Sequence, residues 1–187
     1  MIFSLFRRPS QTISRLYGTI VAQARAPAFY GGYAVPDTVD GRFEMLLLHL
    51  IMLLRRLERE PPSLRRLGQG VFDLFCRDMD ASLREIGVGD LTVPRQMRRI
   101  GQAFYGRQAA YAAALGAAGP EPLRKALARN VFGLKCEPRP DGTAEPAGAD
   151  RLARYVHEAI RHLATQDVAA LARAELSFPD PEMGMFR

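Results

Sequence analysis

Tryptophan is absent from this chain of 187 residues, cysteine occurs twice and histidine three times. Cys76 and Cys136 lie far apart, with no CxxC pair and no histidine at ligand spacing, so neither a disulfide framework nor a zinc site is expected. Cys76 falls in an amphipathic segment and reads as a small buried hydrophobe. A long apolar run is missing too. Met45–Leu54 spans ten residues broken by His49, and ten helical residues rise only about 15 Å, half of a bilayer core. The opening MIFSLFRRPS places its charges after its apolar residues, the reverse of a secretory signal, so a soluble protein is expected. Gly31–Gly32 has no preceding strand and no following Lys-Ser/Thr, which a phosphate cradle needs. No nucleophile–base pair, metal triad or phosphate loop is recognisable, so no catalytic, cofactor-binding or metal-binding residue is assigned.

What is present is an ordinary globular composition, 48% hydrophobic and 25% charged, long enough for one domain with a proper core. The formal net charge of +6 is unevenly placed. Met1–Gly70 holds ten arginines against five acids, whereas the remainder is nearly balanced. That surplus suits an acidic partner such as ribosomal RNA or anionic lipid. Of the basic residues only Lys125 and Lys135 are lysine, a bias attributed to a GC-rich genome.

Every long segment shows the helical period and none alternates, so the fold is read as all-α, a single compact bundle of about six helices. Ser10 caps a first helix to about Arg25, ended by Pro27. An aromatic, glycine-bearing loop occupies Ala28–Asp37, with a tight turn exposing Tyr30 and Tyr33. Thr38 caps a second helix to about Glu60, ahead of Pro61 and Pro62. A third runs from about Ser63 to Ile86 and ends at Gly87 and Gly89. A fourth begins at Thr92 or Pro94 and reaches about Ala118, and a shorter one covers Glu121–Phe132. Pro and Gly mark a mobile loop over about 137–149, after which Asp150 caps a last helix to about Leu176 and an extended tail.

Three features depart from a simple inside–outside pattern. The second helix is apolar all round, with Phe43, Leu46, Leu47, Leu50 and Leu54 on one side and Met45, Leu48, His49 and Met52 on much of the other. Either it is a central helix enclosed by its neighbours, or its methionine side stays open to an apolar client. His49 reads as a hydrogen-bonded interior histidine before a metal or haem ligand. Arg107 lies on the apolar stripe of the fourth helix, and Asp78 borders that of the third. A desolvated charge needs a partner, so Arg107 is expected to pair with Asp78 or Glu85 across the two helices. Finally, Arg95, Arg98 and Arg99 share a polar face, read as solvated in preference to a sequence-specific nucleic-acid surface.

Three blocks carry a resemblance: FYGGYAVPDTVDGRF (Phe29–Phe43), DMDASLREIGVGD (Asp78–Asp90) and AFYGR (Ala103–Arg107). In order, spacing and wording they resemble the ubiquinol–cytochrome c chaperone family, assembly factors of the respiratory cytochrome bc1 complex, over roughly 16–132. The resemblance implies a helical, noncatalytic chaperone that binds newly made cytochrome b. It also implies docking near the ribosomal tunnel exit and action with a small partner protein. Lacking a long import leader at its start, the chain looks like a bacterial, cytoplasmic member, peripheral at most to the inner membrane. Under this reading the client contacts are expected at Phe29, Tyr30, Tyr33, Val35, Val88, Val93 and Met97, with the Met45, His49 and Met52 face as a further candidate. A helical-bundle enzyme or small-molecule binder, or a ribosome- or RNA-docking module, is the competing expectation.

Overall fold

The computed structural model describes residues 10–133 and 147–183, and among them every regular element is an α-helix. In chain order these are α1 (Gln11–Ala24), α2 (Pro27–Gly31), α3 (Val39–Glu58), α4 (Pro62–Glu85), α5 (Val93–Gly116), α6 (Glu121–Asn130), α7 (Ala147–Thr165) and α8 (Val168–Ala172). Six have ten or more residues, which matches the bundle that the helical period predicts. Ser10 caps α1 by accepting a hydrogen bond from the Ile13 amide at 3.3 Å, and Thr38 caps α3 through the Gly41 amide at 3.1 Å. Gly41 has a second role in the same corner. A Cβ there would lie 2.0 Å from the Pro36 carbonyl oxygen, so only glycine lets the loop close against the start of α3.

α3 is the axis of the bundle. It packs against α1, α4, α5 and α7, and from Glu44 to Leu53 all of its residues except Leu46 are buried. Such a helix has no outward face, which explains why its sequence shows no polar stripe. The surrounding helices are amphipathic. α4 turns Leu64, Gly68, Val71 and Phe75 inward, and α7 turns Leu152, Tyr155, Val156, Ala159 and Leu163 inward. α4 stops at Glu85, where Gly87 takes the left-handed conformation (φ 85°) that ends helices without a Cβ penalty.

Two regions differ from the sequence expectation. The aromatic loop contains the short helix α2, and Tyr33 is buried behind it rather than displayed. The left-handed turn falls on Ala34 (φ 56°), one residue beyond. The single last helix is broken instead into α7 and α8. Asp167 adopts extended backbone and caps α8 by accepting from the Ala170 amide at 3.2 Å, an alternative to helix continuation that aspartate offers readily. Asp150 is thus in the first turn of α7 and does not cap it. The carbonyls at the end of α7 are taken by Arg56, which donates to Leu163 O at 2.8 Å and Gln166 O at 3.1 Å and pairs with Glu60. Of the loop expected at 137–149, residues up to 146 lie outside the described residues, and Ala147–Ala149 are helical. Cys136 lies outside them as well.

Candidate functional site

The polar groups of the interior are organised around α3. His49 is fully buried and sits among Phe29, Tyr155 and Phe178, with ring centroids at 5.4, 5.7 and 5.1 Å. Its Nδ1 lies 2.8 Å from Met45 O, which only accepts, so Nδ1 carries the proton. Nε2 is then bare and accepts from the Tyr155 hydroxyl at 2.9 Å, while Tyr155 accepts from Gln23 Nε2 at 3.0 Å. Burial lowers the imidazole pKa to about 4, against a weaker opposing effect of the Met45 carbonyl. His49 is therefore a neutral structural histidine with both nitrogens engaged. The tail closes this box: Tyr33 donates to Pro181 O at 2.8 Å, and Gln23 also donates to Pro179 O at 3.0 Å.

The second cluster corrects the expected ion pair. Arg107 of α5 does have a carboxylate, but it is Glu44 of α3, held through Nε at 3.1 Å and Nη2 at 2.5 Å. Asp78 instead accepts from the Tyr17 hydroxyl at 2.6 Å, joining α4 to α1, and Glu85 is exposed near the end of α4. The physical reason lies in the central position of α3. Arg107 projects from α5 toward the axis of the bundle, where the buried acid available is Glu44. Burial raises the Glu44 carboxyl above its ordinary range despite the guanidinium, and the Glu44 hydrogen bonds raise Arg107. Burial also raises the Tyr17 phenol, with Asp78 adding to it. Sequence reading missed Glu44, although a signal was there. It stands at i, i+4 and i+7 with Leu48 and Ile51, an acid on an apolar stripe.

The expected contact residues divide cleanly by exposure. Phe29, Tyr33, Val35, Met45, His49, Met52 and Val93 are all buried, so they are core and not an open client surface. The side of α3 bearing Met52 is filled by α5 and α7, which leave a gap of about 30 Å³ lined by Met52, Tyr111 and Val156, room for one water and not for a guest. Tyr30, Val88 and Met97 are half-buried. Tyr30 donates to Ala24 O at 2.7 Å and lies beside Arg42, whose guanidinium carbon is 5.8 Å from the ring centroid.

Accessible apolar surface lies elsewhere. An open cleft of about 260 Å³ runs between the end of α3, the first half of α4 and the middle of α5. Its wall is an aromatic group: Phe72 to Phe104 at 4.6 Å, Phe104 to Tyr105 at 5.3 Å and Phe72 to Tyr105 at 6.4 Å. Tyr105, 62% exposed, is the accessible edge, and Glu58, Arg65, Gln69 and Gln108 form a polar rim. A second, polar groove of about 500 Å³ follows Arg154, His157, Glu158, Arg161 and His162 on α7. Among the described residues no group of three His, Cys, Asp or Glu converges to hold a metal ion, and no helix is long and apolar enough to cross a membrane.

This arrangement defines a class before it defines a protein: a helical bundle whose interior His49, Glu44 and Arg107 are engaged in structural pairing, with open clefts on its surface. Comparison with known proteins supplies the family. The chain belongs to the ubiquinol–cytochrome c chaperone family, whose model matches residues 32–178. It is 23% identical over 153 residues to ubiquinol–cytochrome c reductase complex assembly factor 1 of Xenopus laevis, covering 82% of this chain and 72% of the relative. The human protein of that name is 26% identical over 149 residues, covering 80% of this chain but 47% of the relative. The chain thus spans about half the length of the human relative. Among solved structures, the Cbp3 homolog from Brucella abortus matches with a TM-score of 0.80 at 40% identity, covering 97% of this chain and 98% of that one.

Proposed function

We propose that this protein is a noncatalytic assembly chaperone for the ubiquinol–cytochrome c reductase complex, and that its client is newly made cytochrome b. The observation that supports this most is membership of the chaperone family over residues 32–178, together with relatives named as assembly factors of that complex. The client surface in this reading is the cleft between α3, α4 and α5. Cytochrome b spans the membrane several times, and each span exposes apolar side chains until it is inserted and packed. A shallow aromatic wall with a polar rim suits one apolar face of such a helix, laid in lengthwise. Phe72, Phe104 and Tyr105 offer rigid apolar area at low entropic cost, and the rim orients the flanking polar residues.

The interior supports a binding role over catalysis. His49, Glu44, Arg107 and Asp78 are the groups an enzyme would recruit, and each is already committed to a partner inside the fold. The protein acts at the cytoplasmic side of the membrane, and a small partner protein and the ribosome are further contacts of this same role. Pulldown with tagged protein from a strain that makes the complex tests the client. Cytochrome b is expected in clear excess over other multi-span proteins, and equal recovery of unrelated ones would refute client specificity.

A further inference from the structure

We infer that the tip joining α4 to α5 is a membrane anchor that seats the protein on an anionic lipid surface. The tip displays two large aliphatic side chains: Leu91 is 98% exposed and Ile86 is 76% exposed, the pair separated by the turn around Gly87 and Gly89. Neither contributes much to the fold from there, since Leu91 leaves nearly all of its surface in water and Ile86 about three quarters. Immediately behind them, Arg95, Arg98 and Arg99 form one exposed stripe along the first two turns of α5, within about 10 Å of its start along the axis. Arg95, Arg98 and Arg99 have no ion-pair partner among the described residues, and α5 contains no acid anywhere in its 24 residues. On the α4 side Asp80 and Asp90 share the single charge of Arg84, so one negative charge is left over there and Glu85 adds a second, against three arginines. The C-terminal end of α4 and the N-terminal end of α5 meet here, so their dipoles largely cancel and the arginines carry the attraction.

Aliphatic residues ahead of a basic stripe are the layout of an interfacial anchor: the apolar chains enter the acyl boundary while guanidinium groups meet phosphate. The same chemistry disfavours RNA, because leucine and isoleucine offer no ring for a base to stack on. Each arginine near an anionic surface is worth about fivefold in partition, so the three supply at most roughly a hundredfold, reduced by the two negative charges left on the α4 side. Burying Leu91 and Ile86 adds about tenfold or more. This inference stands on exposed side chains alone and holds whichever client the cleft receives.

Flotation of the full chain with phosphatidylcholine vesicles, with and without phosphatidylglycerol, tests it. Binding is expected only to the anionic vesicles and is expected to fall steeply with salt. The Arg95→Gln/Arg98→Gln/Arg99→Gln variant should lose at least tenfold in binding, and so should Ile86→Ser/Leu91→Ser. All five positions are on the surface, so circular dichroism and the melting temperature should match wild type. Equal binding of either variant, or equal binding to neutral vesicles, overturns the inference. So does arginine-dependent binding to ribosomal RNA that ignores the Ile86 and Leu91 changes while vesicles are not bound.

Discussion

Replacing Arg107 with methionine is expected to cost more than losing a surface ion pair, because of what it leaves behind. The Glu44 side chain is 9% exposed, and its two carboxylate oxygens both face the guanidinium. Removing one partner of a fully buried pair typically costs 3–5 kcal/mol. Arg107 itself is 29% exposed and some water reaches the site, so about 2–4 kcal/mol is expected here. For a chain of this size that corresponds to a fall of roughly 5–15 °C in melting temperature. The double variant Glu44→Leu/Arg107→Met removes both charges and should recover to within about 1 kcal/mol of wild type, or exceed it. pH supplies a second handle. Burial already raises the Glu44 carboxyl in the folded state, so folding favours its protonated form, and losing Arg107 raises it further. Acidification therefore stabilises Arg107→Met relative to wild type, and the gap should narrow as pH falls. Urea unfolding of wild type, both single variants and the double variant over a pH series measures each quantity. A cost below about 0.5 kcal/mol for Arg107→Met, typical of exposed pairs, would refute the reasoning.

Two further outcomes concern α3. His49 is neutral in the fold, with its pKa lowered to about 4 against an unfolded value near 6.5. Its contribution is present above about pH 6.5 and is lost as pH falls through about 4, a drop of roughly 3 kcal/mol. His49→Phe should flatten that part of the pH–stability curve, and an unchanged slope would count against a buried neutral imidazole. Gly41→Ala would gain up to about 1 kcal/mol from helix propensity alone. The Pro36 carbonyl, 2.0 Å from the new Cβ, must shift, so net destabilisation by about 1–3 kcal/mol is expected in chemical unfolding, and a stabilised variant would contradict the close approach.

Most of the fold was legible because helical periodicity and stop signals act locally. Ser10, Thr38, Pro27, Pro61 and Gly87 mark boundaries that the structure places within a few residues. The break between α7 and α8 was not legible from period alone, since Leu163 and Leu171 fall about 80° apart on a continued helix, close enough for one face. The competing force is a side-chain cap from Asp167, together with Arg56 reaching in from α3. The candidate site was harder to read for a related reason. A helix that is apolar all round has two readings in sequence, enclosed axis or open face, and only the packing of α5 and α7 against Met52 decides between them. Tyr33 and Phe29 look like display residues because glycines lie between them, yet the tail returns to Tyr33 and Phe29 is enclosed by Tyr33, His49 and Tyr155. Arg107 was rightly expected to need a carboxylate. Its partner could be named only once α3 was known to be the bundle axis.

Photocrosslinking from within the cleft tests the central claim most directly. A benzoylphenylalanine at position 105 would sit on the exposed aromatic edge, and one at position 39 would sit at the opposite end of α3, about 25 Å away, on a residue that is more exposed still. In cells assembling the reductase, position 105 should yield an adduct with newly made cytochrome b and position 39 should yield little. No cytochrome b adduct at 105, or equal adducts from both positions, would contradict a chaperone that holds its client in the α3–α4–α5 cleft.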